Sequence, residues 1–277
     1  VKVLVTGKNG QVGTALIKAA EAIPDIQIFG YDRSELDISN SDHIQHRLIQ
    51  TEPDVVINAA AYTAVDRAED DVETAFVINR DGPELLALCC AQRDIPLLHI
   101  STDFVFDGQK EGAYLETDPC QPISIYGRSK LAGENQIKLA WKKHLILRTA
   151  WVFGGQNNFV KTMQRLGAER PEISVVNDQF GGPTSAIDIA AALLMMAQKA
   201  IETGFNEWGV YHYTGTPSVS WYEFACEILK DNRQLVIHPI PTTEYPTPAR
   251  RPSNSVLNCQ KIRSVFGIEQ PDWKTKL

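Results

Sequence analysis

The 277-residue chain has no apolar run close to the roughly 18 residues that a membrane helix needs. Its longest candidate, Ile187–Ala197, is shorter and contains Asp188. No basic segment followed by an apolar stretch and a cleavage site opens the chain. It begins as a strand, VKVLVTG, so no secretory signal is expected. Positive charge is also scarce: 27 Lys and Arg against 34 Asp and Glu give a net charge of −7. A sequence-independent nucleic-acid binder needs a basic surface to displace counterions, so that class is excluded. The five cysteines (Cys89, Cys90, Cys120, Cys226, Cys259) are odd in number and form no C-x-x-C or Cys/His cluster. Reduced thiols in a cytoplasmic protein are expected, with no metal centre. What remains is an ordinary globular composition, 43% hydrophobic and 22% charged. The length suits about two domains.

The first half alternates short β-rich runs with helical periodicity. Strands are expected at Val1–Thr6, Ile26–Tyr31, Asp54–Asn58, Pro96–Ser101 and His144–Arg148. Helices are expected at Gln11–Ala22, at Ser41–Gln50 with Ser41 as N-cap, at Val72–Gln92 with an interruption near Asp81-Gly82-Pro83, and at Ile125–Trp141. Strands apolar on both faces, alternating with helices, predict a doubly wound parallel sheet of Rossmann type. The second half is richer in proline and aromatic residues, with helices expected at Phe159–Leu166, Ile187–Ala200 and Trp221–Leu229. Five prolines between Pro239 and Pro252 predict an extended loop there. The division expected is a dinucleotide-binding domain over 1–154 and a smaller α/β substrate domain over 155–277, some of whose elements return to the first.

The first strand runs into Gly7-Lys8-Asn9-Gly10-Gln11-Val12-Gly13. The spacing is G-x-x-G-x-x-G. Glycines here permit a tight turn and let backbone approach a pyrophosphate at a helix N-terminus, while Gly13 permits close helix–strand packing. Asp32 follows Gly13 by 19 residues, at the end of the second apolar run, where a carboxylate would meet an adenosine ribose. Asp37-Ile38 suits the adenine edge. Asp32 favours the free 2′-hydroxyl of NADH, whereas the neighbouring Arg33 could accept the 2′-phosphate of NADPH. After the third strand, the small residues Ala59, Ala60 and Ala61 would let a dinucleotide lie close to the sheet edge.

Tyr126 and Lys130 stand four apart on a predicted helix, which places both on one face. A nearby ammonium favours phenolate, so such a pair can tune a phenol for acid–base work. Ser101-Thr102-Asp103 ends the fourth strand, where ligands bind in doubly wound sheets, and the Thr102 hydroxyl could hydrogen-bond a reacting carbonyl oxygen. Arg250-Arg251, in the proline-stiffened loop, would suit a diphosphate because guanidinium forks match phosphate oxygens. Trp151, just after the fifth strand, offers an apolar face for a deoxysugar.

The glycine turn, N-A-A-A, S-T-D and Y-x-x-x-K in this order resemble the extended short-chain dehydrogenase/reductase superfamily. NAAAYTAVD (58–66), STDFVFDG (101–108), YGRSKLAGE (126–134), RTAWVF (148–153), NDQFGGPT (177–184) and PTPARRP (246–252) narrow the resemblance to the dTDP-4-dehydrorhamnose reductase family. That resemblance implies reduction of the C4 ketone of a dTDP-linked 6-deoxysugar by NADPH or NADH. It implies Tyr126 as proton donor, Lys130 at the nicotinamide ribose and Thr102 polarising the ketone. Gly10, Gln11, Val12, Asp32, Asp37, Ile38, Ala61, Tyr62 and Thr63 would hold the cofactor, and Thr102, Asp103 and Trp151 the sugar. A small-molecule nucleotide sugar is thus the expected partner, with a homodimer as the possible assembly. Phe104 departs from the tyrosine common in the family, removing a hydroxyl beside the site. The first helix carries Thr14-Ala15, with no glutamate before Glu21 to bridge a metal between subunits. A nucleotide-sugar epimerase or dehydratase is the second reading. A dehydratase would want glutamate after Asp103, where Phe104 stands. A non-catalytic nucleotide-binding regulatory subunit is the third.

Overall fold

Val3, Leu4 and Val5 are completely buried, as a strand covered on both faces requires. They are the centre of β1 (Lys2–Thr6). The first half continues through α1 (Gln11–Ala20), β2 (Gln27–Tyr31), α2 (Ser41–Thr51), β3 (Val55–Asn58), α3 (Val72–Phe76), a π-helical turn (Val77–Asp81), α4 (Gly82–Ala91), β4 (Leu97–Thr102), α5 (Ile125–Ala140) and β5 (His144–Thr149). The second half adds β6 (Val152–Phe153), α6 (Phe159–Glu169), β7 (Glu172–Val176), β8 (Phe180–Gly181), β9 (Thr184–Ser185) and α7 (Ala186–Ala200). It ends with β10 (Gly209–His212), β11 (Val219–Ser220), α8 (Trp221–Ile228), β12 (Val236–Ile240) and α9 (Gln260–Phe266). This is a computed structural model, and it describes all of residues 1–277.

Six strands form one parallel sheet in the order β10-β5-β4-β3-β1-β2. The winding reverses between β1 and β3, and such switch points open a crevice at the carboxyl ends of the strands. Val3, Val5, Val55, Ile57, Leu98, Leu145 and Leu147 share a core with α1 and α7. Leu4, Val56, Leu97 and Ile146 point the other way, into a core with α2, α4 and α5. The period-two alternation of each strand thus feeds two separate helical layers. α7 and β10 belong to this assembly although they lie late in the chain. Away from the sheet, α6 and α8 pack on the β7–β12 pair around Met163, Ile173, Val175 and Ala225. No helix is long and apolar enough to cross a membrane. All five cysteines are free, and no group of three or more His, Cys, Asp or Glu side chains could hold a metal ion.

Three local expectations are corrected. The N-cap of α2 is Asn40, not Ser41: its Oδ1 accepts the amides of Asp42 and His43 at 2.9 and 3.2 Å, the donors an N-cap side chain reaches. The Asp81-Gly82-Pro83 interruption is absorbed without a break. The π-helical turn leads into α4 with Pro83 in its first turn, where proline is tolerated. Pro239 lies in β12, paired in register with Val175. β12 is an edge strand, where a missing N–H is tolerated, so the extended loop begins only after Ile240.

Candidate active site

β1 turns into α1 through Gly7, whose φ is +72°. A Cβ on Gly7 would lie 2.7 Å from the Ala60 nitrogen, and one on Gly13 would lie 2.2 Å from the Gly7 carbonyl oxygen. Only glycine allows this stacking of turn, helix and post-β3 loop. Beside it is a cavity of about 400 Å³ lined by Gly7, Gly10, Asp37, Ile38, Ala59, Ala60, Ala61, Tyr62 and Thr63 from the predicted set. Its size is within the range of small-molecule and cofactor sites. Glycine backbone at a helix N-terminus, alanine walls and a guanidinium from Arg33 suit a dinucleotide.

The other predicted cofactor residues do not line this cavity. Val12 and Gly13 are buried on the inner side of α1. The Gln11 side chain is used structurally: Oε1 accepts from Gly155 N and Asn158 Nδ2, each at 3.1 Å, tying α1 to the loop after β6. Asp32 Oδ1 accepts from Ser34 N at 2.9 Å and Ser34 Oγ at 2.6 Å. The Ser34 hydroxyl is the main cause holding this carboxyl below its ordinary range. Arg33 lines the cavity in its place, 3.7 Å from Asp37.

Tyr126 and Lys130 sit on the buried side of α5, and Thr102 ends β4. α5 comes in close because Gly133 has no Cβ; one there would lie 2.0 Å from the Asn79 carbonyl oxygen. Asn79, in the π-helical turn, locks the arrangement. Its Oδ1 accepts Tyr62 N at 2.8 Å, and its Nδ2 donates to Tyr62 O and Ser129 Oγ, both at 3.0 Å. Cavity wall and α5 are thereby one unit. Phe104 meets the Tyr126 ring edge-on at 5.5 Å.

Burial pushes the Tyr126 phenol up to about 12; the Asp103 charge acts the same way and Thr102 opposes it. Burial lowers Lys130 to about 8 against the pull of Glu134. Burial raises Asp103 to about 6, although Thr102 Oγ1 donates to its Oδ1 at 3.0 Å. Asp103 Oδ2 is buried without a hydrogen-bond partner.

Polar residues that sequence reasoning passed over stand behind this cluster. Lys130 Nζ donates to Ile100 O at 2.7 Å and lies 3.2 Å from His99 Nε2. Glu134, one turn along α5, is bonded by Arg148 at 2.8 and 2.6 Å and by Ser101 Oγ at 2.6 Å. Burial alone would raise the Glu134 carboxyl, but the Arg148 guanidinium wins and holds it at about 2. The available signal was a polar residue inside an apolar strand: His99 in LLHIST and Arg148 in HLILRT.

Two substrate-side expectations change. Trp151, at φ +50°, has neither indole face free. Trp221 stacks on one face at 3.5 Å and 9°. Gly181 covers the other: a Cβ there would lie 2.6, 2.8 and 2.9 Å from Cε2, Nε1 and Cζ2, which places it over the ring plane. Only the ring edge can meet a sugar. Arg250 and Arg251 also do not act as a pair. Arg251 forks onto Asp66 at 3.0 and 2.7 Å and bonds the Ala249 carbonyl at 3.0 Å, while Arg250 is exposed. The nearby carboxylate claims one guanidinium and leaves the other free.

The family model described as RmlD substrate binding domain matches residues 1–277. The dTDP-4-dehydrorhamnose reductase of Aggregatibacter actinomycetemcomitans is 44% identical over 284 residues, covering 100% of this chain and 97% of that one. The chain belongs to the dTDP-4-dehydrorhamnose reductase family. Crystal structures of dTDP-4-dehydrorhamnose reductases superpose along its length. That from Clostridium acetobutylicum has a TM-score of 0.94 at 38% identity, covering 99% of this chain and 96% of that one. That from Bacillus anthracis, in complex with NADP, has a TM-score of 0.92 at 37% identity, with the same coverage.

Proposed function

We propose that this member of the dTDP-4-dehydrorhamnose reductase family reduces the C4 ketone of dTDP-4-dehydro-β-L-rhamnose to dTDP-β-L-rhamnose with NADPH or NADH. The observation that carries the reading is the buried set Thr102, Tyr126 and Lys130 joined through Asn79 to a cavity of dinucleotide size. The reduced nicotinamide supplies hydride to the ketone carbon. The chain's own side chains manage the oxygen. Tyr126 gives its proton to the carbonyl oxygen as charge develops there, and its high proton affinity ensures that it starts protonated. Thr102 orients the ketone, and Lys130 holds the nicotinamide ribose. Asp103 and the edge of Trp151 receive the sugar, and Arg250 the diphosphate. Gly10, the amides opening α1, Asp37, Ile38 and the Ala59–Thr63 segment hold the dinucleotide, with Arg33 at the adenosine end. Residues 1–154, completed by α7 and β10, form the cofactor unit, and the rest of 155–277 mainly the nucleotide-sugar unit. A cytoplasmic location and a homodimer complete the proposal, the latter open to sedimentation analysis.

The test is cofactor oxidation with dTDP-4-dehydro-6-deoxyglucose supplied together with its 3,5-epimerase. Oxidation that requires the epimerase and yields dTDP-rhamnose is expected. Cofactor binding without oxidation would overturn the reductase in favour of a regulatory nucleotide-binding subunit.

A further inference from the structure

The side chain of Gln11, the first residue of α1, reaches across to the loop after β6, meeting Gly155 at 144 residues' separation. The Gly155 N–H can only donate, so the Gln11 atom it meets at 3.1 Å is the carbonyl oxygen Oε1. Asn158 is oriented in the same way. As N-cap of α6, its Oδ1 accepts the Lys161 N–H at 3.1 Å. Its NH₂ group then donates to Gln11 Oε1 at 3.1 Å and to Gly155 O at 2.7 Å. Gln11 Nε2 faces the Val152 carbonyl at 3.4 Å. Each of the two side-chain amides thus holds the other in one orientation. A Cβ on Gly155 would lie 2.5 Å from Gln11 Cγ, so a side chain there would push Gln11 off its partners. Both ends of the tied loop rest on one ring. Trp151, just before Val152, stacks on Trp221 at 3.5 Å, and Phe159, just after Asn158, meets Trp221 at 4.5 Å. At the other end of the tie, Gln11 opens α1, where Gly10 as N-cap offers no side chain to the first amides. Those are the amides that receive a pyrophosphate in the reading above.

We infer that Gln11 is a positioning residue whose side chain carries the seating of the dinucleotide on α1 to the loop that sets the sugar-facing edge of Trp151. The inference deepens the reductase reading above and rests on it. Phosphate oxygens that accept the amides opening α1 fix the backbone of Gln11. A fixed backbone leaves the Gln11 side chain fewer ways to part from Gly155 and Asn158, so the loop opens less often. Phe159 and Trp151 pass the same constraint to the Trp221 stack, and with it to the ring edge offered to the sugar. Hydride transfer needs the donor and the ketone carbon in near contact, and a displacement of about 1 Å is costly to the rate. Gln11 keeps the nucleotide-sugar unit in register with the cofactor unit without touching the sugar. The cofactor contact assigned to Gln11 is its backbone N–H, so truncating the side chain leaves that contact in place.

The test is amide hydrogen exchange on the full-length protein, free and saturated with NADPH or NADH. Exchange over residues 154–159 is expected to slow about threefold or more on cofactor binding, together with the cavity wall at 59–63. In Gln11→Ala the slowing over 59–63 should remain and that over 154–159 should disappear. Asn158→Ser keeps a capping hydroxyl for α6 but removes the donor to Gln11, and it should behave alike. In turnover each variant should lose about tenfold in kcat. Cofactor Kd should stay within a factor of about two. The double variant should be no worse than either alone, because both break one contact. A merely structural role would lower stability and cofactor affinity without uncoupling the two segments. Slowing over 154–159 that survives in Gln11→Ala would overturn the inference. So would its absence from the wild type while 59–63 is slowed, and both results leave the reductase reading standing. Slowing at neither segment would sink the dinucleotide reading and this inference with it. If Gln11→Ala does not fold, Asn158→Ser decides the matter by the same readout.

Discussion

Tyr126 has a phenol that burial makes reluctant to ionise, and the proposed reaction uses the proton it retains. Tyr126→Phe is expected to lower kcat by about 10²-fold or more while cofactor binding, followed by fluorescence, stays within a factor of about two. Asp103 is costly to keep ionised. Its proton affinity is raised from 3.8 to about 6 in the fold, so the folded state holds this proton more tightly than the unfolded chain does. The sign follows: stability from this group is fully present below about 4, is lost as pH rises to about 6, and stays lost above. Asp103→Asn should therefore raise thermal stability at neutral pH, on the order of 3 kcal/mol, with no gain below about pH 4. Calorimetry at the two pH values checks this, and a gain at low pH alone would contradict it. Arg33 lines the cavity where Asp32 does not. Arg33→Ala should weaken NADPH binding about tenfold relative to NADH, the loss of roughly one charge-assisted contact.

At the scale of elements, α5 carries the chemistry on a foundation that is itself charged. Arg148 and Glu134 are 2% and 0% exposed and 2.6 Å apart. Breaking such a pair from one side strands the other charge in the core, at a cost of about 3–5 kcal/mol. Glu134→Ala should show that loss in urea unfolding at neutral pH. Because the folded carboxyl is depressed from 4.5 to about 2, its contribution is present above about 4.5 and fades as pH falls toward 2. The penalty of the variant should shrink over that interval. The helix itself was readable from the spacing of its apolar and functional residues, as was the strand that ends in Thr102. The ion pair was not, because nothing local in LRTAW or KLAGE says that the two side chains meet.

Across the whole molecule, the loop over 246–252 is bound to the loop that follows β3 by the fork of Arg251 on Asp66. The pair is 25% and 42% exposed, so its worth is about 1 kcal/mol. Asp66→Ala and Arg251→Ala should each raise KM for the nucleotide sugar about fivefold. The double variant should be no worse than either alone, because the two act through one contact. Additive losses would show that the residues work separately. The doubly wound sheet, the glycine turn and the Tyr126–Lys130 helix could all be read from the chain before any coordinates. Each depends on neighbours within a few residues: strand alternation, helical period, and the backbone freedom of glycine at a turn. Contacts between distant segments decided the rest. Ser34 takes up Asp32 and leaves Arg33 at the cavity. Trp221 and Gly181 cover both faces of Trp151. Asp66 claims Arg251 from 185 residues away. The amide of Ala60 fixes the orientation of the Asn58 side chain, which meets His99 at 3.0 Å. Residue type and local spacing determine which groups are offered. The partner that satisfies each one, and so whether it remains free for a ligand, is settled only when the chain has folded.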